Sequence, residues 1–290
     1  MSTTLSSYLS IENNLANYQK MTSNEPDVKG PTQYYQANIG KVKTSDQLVS
    51  NYRLLSYALD AYGLGKYTND TAFVKKVLDG GTSSKTALAN TLSNPNWKTF
   101  VNAFNFSAKG SSSPTSSASV KTTTSDYVEQ QLESDQGQSD PGVQLALYFK
   151  RVAPTITTGY GLIGDQNIFD VVTTIFGLSS SISASQVDSE AKELTNLMPL
   201  KDLQDPTKLN NYIERFAAAY DASYGPGSSD PGGLTVVNDN SSSTSSAGSG
   251  ATSVLADVVS SNSSELQGLL PSSSFSTGLI SAFQGLKFGG

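Results

Sequence analysis

An all-α fold follows from three features of the sequence. Apolar residues recur at spacings of three and four through most of the chain, and no segment alternates with the period of two that a half-buried strand needs. The stretch VQLALYFKRVAPTITTGYGLIGDQNIFDVVTTIFGL, Val143 to Leu178, carries charge only at Lys150, Arg151, Asp165 and Asp170, so it is expected to form the buried centre against which other helices lie. Hydrophobic residues are 37% of the 290 positions, below the usual globular share, while Ser and Thr abound. That combination predicts an ordered core diluted by disordered segments. The expected architecture is a multi-helix bundle made of two similar helical halves, 1–106 and 125–224. A Ser/Thr-rich flexible insert at 107–124 separates them, and a disordered linker at 225–252 leads to an amphipathic helical tail at 253–290.

Each element has its own signal. Tyr8, Ile11, Leu15 and Tyr18 form one helical stripe that runs to about Ser23, before Pro26. Gly30-Pro31 marks a turn, and Gln33 to Val42 reads as irregular or short helix. Thr44 and Gln47 make a capping box, in which a hydroxyl holds the third backbone N–H and an amide reaches back. The helix after it carries Leu48, Tyr52, Leu55, Leu59 and Tyr62 on one face, and Gly63 ends it. A helix from Thr71 to Leu78 stops at Gly80-Gly81, and two more cover Lys85–Leu92 and Pro95–Phe104. The insert holds eleven Ser or Thr among eighteen residues, too few apolar groups to offset the entropy of ordering it. A helix restarts at Ser125 and runs to about Glu133. Within the apolar stretch, Pro154 stops one helix and Gly159, Gly161 and Gly164 separate a second from a third. Ser185 and Asp188 open a helix ending near Met198, and Asp205-Pro206 opens the last strong one, with Leu209, Tyr212, Ile213, Phe216 and Tyr220 as its stripe. In the tail, Val254, Leu255, Val258, Val259, Leu266 and Leu269 suit one helix, and Leu279, Ile280, Phe283 and Leu286 another.

The halves echo each other. Tyr62-Gly63-Leu64 parallels Tyr160-Gly161-Leu162, and each half closes with an Asx-Pro helix start, Asn94-Pro95 and Asp205-Pro206. An Asx N-cap accepts orphan N–H groups, and Pro at the next position has none to lose. Duplication of one module or repeated use of the same local rules would both give this pattern; a duplicated pair would be expected to bury apolar faces on each other.

Composition excludes several chemistries. The chain has no Cys and no His, which removes thiolate chemistry, imidazole bases, disulfides and zinc sites built on those ligands. Such a chain suits either the cytoplasm or export in unfolded form. Net charge is −6, with ten basic against seven acidic groups in 1–106 and six against fourteen in 125–224. No basic stripe exists, so no nucleic-acid partner is expected. No apolar run approaches the roughly 18 residues of a membrane span, so no membrane insertion is expected. The N-terminus lacks the charged and apolar regions of a cleaved signal peptide.

No catalytic constellation emerges. Gly80-Gly81-Thr82-Ser83-Ser84-Lys85-Thr86 is one residue short of a phosphate loop, has Ser84 where Gly is needed, and follows a helix instead of a strand. It reads as a polar turn before a helix. Asp165, Asp170, Asp188, Glu190, Glu193, Asp202 and Asp205 show no spacing that singles out an acid/base pair, and caps and solvated faces account for most of them. Asp135, Gln136, Gln138 and Asp140 lack the Ca²⁺-loop pattern. The expectation is therefore no catalytic residue, no cofactor and no metal. Among fourteen Tyr, the pair Tyr34-Tyr35 is either an exposed aromatic binding surface or a core edge with its hydroxyls in water. With Val254, Val258, Leu266, Leu269 and Phe283 of the tail, it makes up the candidate protein-interaction set.

The chain resembles an alphaproteobacterial family known as domain of unknown function 1217, through Tyr34-Tyr35 with Ala37-Asn38-Ile39-Gly40-Lys41-Val42-Lys43, Tyr52-Arg53-Leu54, Ala61-Tyr62-Gly63-Leu64, Phe73-Val74-Lys75-Lys76-Val77-Leu78 and Phe100-Val101-Asn102-Ala103-Phe104. The second half matches through Val143 to Phe149, Ala153-Pro154, Asp205 to Leu209 and Arg215-Phe216-Ala217-Ala218. Genes of that family lie in flagellar gene clusters. The resemblance implies a non-enzymatic structural or assembly protein of the bacterial flagellum, with other flagellar subunits or a second copy of itself as partners. Asn13-Asn14-Leu15-Ala16-Asn17 also resembles the N-terminal helix of flagellar rod and hook proteins. The alternatives are a cytoplasmic helical binding protein, such as an export chaperone or assembly regulator, and a cell-wall glycan hydrolase using paired carboxylates. Location follows the choice: cytoplasm, or flagellum by export without a cleaved signal.

Overall fold

The computed structural model describes residues 3–106, 116–179 and 186–225. The tail at 253–290, nearly all of the linker before it and the first part of the Ser/Thr-rich insert lie outside the described residues. The described residues form fourteen α-helices and no strand. In order they are α1 (Thr4–Asn13), α2 (Leu15–Asn24), α3 (Pro26–Asn38), α4 (Ser45–Val49), α5 (Tyr52–Ala61), α6 (Thr71–Gly80), α7 (Leu88–Thr91), α8 (Asn96–Ala103), α9 (Ser117–Gly137), α10 (Pro141–Val152), α11 (Gly159–Ile163), α12 (Gln166–Phe176), α13 (Val187–Leu197) and α14 (Pro206–Tyr224).

Local chemistry sets most of the boundaries. Asp140, Asp165 and Asp205 each turn a carboxylate onto the first N–H groups of α10, α12 and α14, and Pro141 and Pro206 sit where a missing N–H costs nothing. Asn94 Oδ1 accepts from Asn96 N at 2.8 Å at the start of α8. At the end of α5, Gly63 has φ of 66°. Its N–H reaches Asp60 O at 3.0 Å and that of Leu64 reaches Leu59 O at 2.8 Å. This is the left-handed stop that favours glycine.

Two apolar cores form instead of one. The first gathers α3 to α8 around Leu48, Leu55, Leu59, Val74, Val77 and an aromatic group of Trp97, Phe100 and Phe104. The second gathers α1 and α10 to α14 and contains the whole buried part of Val143–Leu178. That stretch is therefore the centre of the second core, not of the molecule. Helix α9, 21 residues long, serves both: Tyr127 belongs to the first core and Leu132 to the second. It packs on α2, α3 and α5 on one side and on α10 on the other.

Between the cores runs a polar seam. Asp165 Oδ2 accepts from Tyr148 Oη at 2.6 Å and from Asn94 Nδ2 at 3.3 Å. Asn96 Nδ2 donates to Tyr148 Oη at 3.0 Å. Beside it Gly164 backs onto Ser93 so closely that a Cβ there would lie 2.5 Å from the Ser93 carbonyl carbon. The residues that start α8 and α12 thus also join the two halves.

Several expectations need correction. Gly30-Pro31 is not a turn; both lie inside α3, because burial of Val28 and Tyr35 on one face outweighs the hydrogen bond that Pro31 cannot donate. Residues 117–124, expected to be flexible, are the first turns of α9. Ser116 caps that helix through Ser119 N. The fully buried Thr123 meets Tyr62 Oη at 3.2 Å, so tertiary contact supplies what composition does not. The stripe from Tyr8 to Tyr18 is broken at Asn14 between α1 and α2. The run from Leu48 to Tyr62 is broken at Ser50-Asn51, where Asn51 Oδ1 caps α5 through Leu54 N at 3.1 Å. That break changes the helical phase, so Tyr52 leaves the core face and is 62% exposed. The expected helix at 85–92 shrinks to α7. Only half of the capping box forms: Thr44 Oγ1 accepts from Gln47 N at 3.2 Å, but Gln47 Oε1 turns to Lys43 N at 2.6 Å. Finally, Tyr62-Gly63-Leu64 ends a helix while Tyr160-Gly161-Leu162 lies inside one.

Candidate interaction surface

Tyr34 and Tyr35 are consecutive on α3, and only Tyr35 is fully buried. Tyr35 is 0% exposed and stacks on Tyr57 of α5, with ring centroids 4.5 Å apart. Tyr57 stacks in turn on Tyr127 of α9 at 3.9 Å. This three-ring column fixes α3, α5 and α9 to one another, and Tyr57 Oη meets Thr32 Oγ1 at 3.0 Å. Burial pushes the Tyr127 phenol up to about 12, helped by the charges of Asp60 and Asp27, so the ring stays neutral. Tyr35 therefore belongs to the core and not to an interaction surface, because its ring is buried in the stack with Tyr57 while Tyr34 leaves the helix roughly 100° further round.

Tyr34 is half-buried at the edge of the first core. The Arg53 guanidinium lies 3.8 Å over its ring centroid, and Asn51 Nδ2 donates to its hydroxyl at 3.4 Å. Arg53 and the exposed Tyr52 start α5, so the break at Asn51 that exposes Tyr52 also positions this pair. Together with Pro31, Ser56, Asp60 and the edges of Tyr57 and Tyr127, they line a shallow groove of about 250 Å³. Aromatic rings and arginine on rigid helices are the side chains that carry most binding energy at protein interfaces. The sequence pointed to Tyr34; it missed Tyr52 and Arg53, whose signal was the Asn51 cap inside an apparently continuous stripe. Val254, Val258, Leu266, Leu269 and Phe283 lie outside the described residues.

A charged network lies between α1, α2, α9 and α10. Arg151 forks onto Glu133, with Nε to Oε1 at 2.6 Å and Nη2 to Oε2 at 2.7 Å, and Nη2 also reaches Gln130 Oε1 at 2.6 Å. Their side chains are 14% and 4% exposed. Burial alone would lower the Arg151 pKa, but Glu133 outweighs it and holds it above its usual value. Nearby Asp126 is pushed up to about 6 by burial, against the opposing pull of Arg151. Glu129, raised by burial, accepts from Gln19 Nε2 at 2.9 Å. Lys150 pairs with Glu12 of α1. The network ties the N-terminal helices onto the second half.

The other candidate carboxylates are dispersed, and Asp165, Asp170, Asp188, Asp202 and Asp205 are engaged. Asp165 caps α12 and sits in the seam. Asp170, buried on the same helix, is pushed up to about 6 by burial and accepts from Gln166 Nε2 at 2.6 Å. Asp188 accepts from Tyr160 Oη at 2.7 Å, Asp202 pairs with Lys208 at 2.6 Å, and Asp205 caps α14. Asp140 caps α10 and also accepts from Thr4 Oγ1 at 3.0 Å. Among the described residues no group of three or more Asp or Glu is arranged to hold a metal ion, and no helix is long and apolar enough to cross a membrane.

Comparison with known proteins gives a family and a fold relative. The family model described as "Protein of unknown function (DUF1217)" matches residues 61–209. The crystal structure of protein AGR_C_984 from Agrobacterium tumefaciens is similar at a TM-score of 0.69 and 34% identity, over 74% of this chain and 91% of that one. No curated protein matches. With the match running from the end of α5 to the start of α14, and an Agrobacterium protein of the same helical fold beside it, the chain belongs to the DUF1217 family.

Proposed function

We propose that this protein is a non-enzymatic structural or assembly component of the bacterial flagellum that acts by binding other proteins, either flagellar subunits or a second copy of itself. The observation that carries the binding role is the groove of Tyr34, Tyr52 and Arg53, held out from a rigid column of buried tyrosines. The Tyr34 ring is held by Arg53 and Asn51 before a partner arrives, so little of its side-chain entropy is lost on binding. The flagellar assignment rests on the family resemblance, whose members' genes lie in flagellar clusters. The two halves are read as versions of one helical module, on the support that two apolar cores form, although α1 joins the second, and that each half has an Asx-Pro helix start.

The test is fractionation with a deletion strain. The protein is expected in purified hook–basal bodies or in the secreted fraction, and cells lacking it are expected to swim poorly. Normal filaments and swimming, with the protein absent from both fractions, would sink the proposal. Retention in the cytoplasm bound to flagellar subunits would instead assign an export-chaperone role.

A further inference from the structure

A second concavity, about 370 Å³, opens where the two halves meet. One wall is the segment after α6 together with α7 and α8, and supplies Thr82, Lys85, Ser93 and Lys98. The other is the turn between α10 and α11, and supplies Thr155 and Thr157. No carboxylate lines it. Lys41 and Lys43 reach only an amide and a backbone oxygen, whereas Lys75, Lys150 and Lys208 are each paired with an Asp or Glu. Neither Lys85 nor Lys98 has such a partner among the described residues.

Two unpaired ammonium groups at one concavity, on the half of the chain that carries ten basic against seven acidic groups, make a local positive focus. Other donors are in place. The hydroxyls of Ser93 and Thr157 have no hydrogen-bond partner among the described residues. The walls are fixed relative to each other, because Gly164 packs directly on Ser93 and Asn94 is bonded to Asp165. The cleft is therefore formed before any ligand enters, which lowers the cost of binding. Thr82 and Lys85 come from the Gly80–Thr86 segment. It lacks the strand and spacing of a phosphate loop, yet places a lysine and a hydroxyl at the cleft.

We infer that this cleft binds a small oxyanion carrying two or more charges, with Lys85 and Lys98 as the charged contacts and Ser93 and Thr157 as hydroxyl donors. Phosphoryl and polycarboxylate groups share that chemistry. Calorimetric titration of the full chain with phosphate, pyrophosphate and citrate, at ionic strength held constant with chloride, separates them. Saturable binding is expected. A preference for pyrophosphate assigns a phosphoryl ligand, and a preference for citrate a polycarboxylate. The double variant K85Q/K98Q, at two exposed positions, is expected to lose about tenfold or more in affinity, roughly 1.4 kcal/mol. A K41Q/K43Q control, with the same charge change away from the cleft, is expected to bind like the parent. Circular dichroism on each variant confirms the fold. The inference is overturned if none of the three anions gives saturable heat, if K85Q/K98Q binds as tightly as the parent, or if both double variants weaken binding equally.

Discussion

Tyr148→Phe tests whether the polar seam holds the two cores together. The substitution keeps the ring and deletes one oxygen. That oxygen donates to the Asp165 carboxylate at 2.6 Å and accepts from Asn96 Nδ2 at 3.0 Å. A hydrogen bond to a charged group contributes about 1.5–3 kcal/mol, and a buried donor left without a partner costs about 1–3 kcal/mol. Asn96 is 5% exposed, so water compensates it poorly. Asp165 keeps Ile168 N and Asn94 Nδ2, so the loss stops short of unfolding α12. The expected cost is about 3 kcal/mol in urea unfolding followed by circular dichroism. The distribution of the loss is the sharper readout. If the seam couples the cores, the variant should unfold in two steps, with tryptophan fluorescence from Trp97 reporting the first core separately from the far-ultraviolet signal. A cost below about 0.5 kcal/mol with a single coincident transition would refute the reasoning, because the seam would then contribute nothing beyond ordinary surface polarity.

The remaining predictions concern burial and charge. Arg151→Met should cost about 3–5 kcal/mol, since it strands the buried Glu133 carboxylate, whereas Arg151→Met with Glu133→Leu should recover most of that loss; chemical unfolding of both variants decides. Asp170 is pushed up to about 6 from 3.8, so the folded state binds more protons than the unfolded state between those values, and this group's contribution is fully present below about 4 and lost as pH rises through 6. Asp170→Asn should therefore gain on the parent as pH rises from 4.5 to 7.5, by at most about 3 kcal/mol, and parallel pH profiles would contradict this. Tyr35→Ala should cost about 3–5 kcal/mol as a buried aromatic truncation. Tyr52→Ala should stay within about 0.5 kcal/mol of the parent yet reduce recovery of protein partners; equal recovery by pull-down would remove the groove from the proposed role.

Much of the helical layout was legible because its signals are local. An Asp or Asn carboxylate or amide reaches an N–H two or three residues on, and Gly63 accepts a positive φ with no partner required. These closures lie within one turn, so Asp205-Pro206 announced α14, and Asp140 and Asp165 carry the same kind of local signal for α10 and α12. The candidate surface was only partly legible. Tyr34 was identified, but nothing in Tyr34-Tyr35 says which ring faces inward until Tyr57 and Tyr127 arrive from other helices. The Asn51 break hid Tyr52 and Arg53, because the apolar spacing from Leu48 to Tyr62 fits one continuous helix as well as two.

The sequence by itself determined an all-helical fold, the starts of helices such as α6, α8 and α14 and the apolar character of Val143–Leu178, since these depend on contacts that each segment makes with itself. Tertiary structure alone decided that two cores form, that a Ser/Thr-rich segment becomes the first turns of α9, that a Gly-Pro pair sits inside α3, and that the start of α5 is turned outward. The physical reason is that burial is a property of pairs of surfaces. Thr123 is ordered because Tyr62 lies against it, and no window short enough to show a helical period contains both residues.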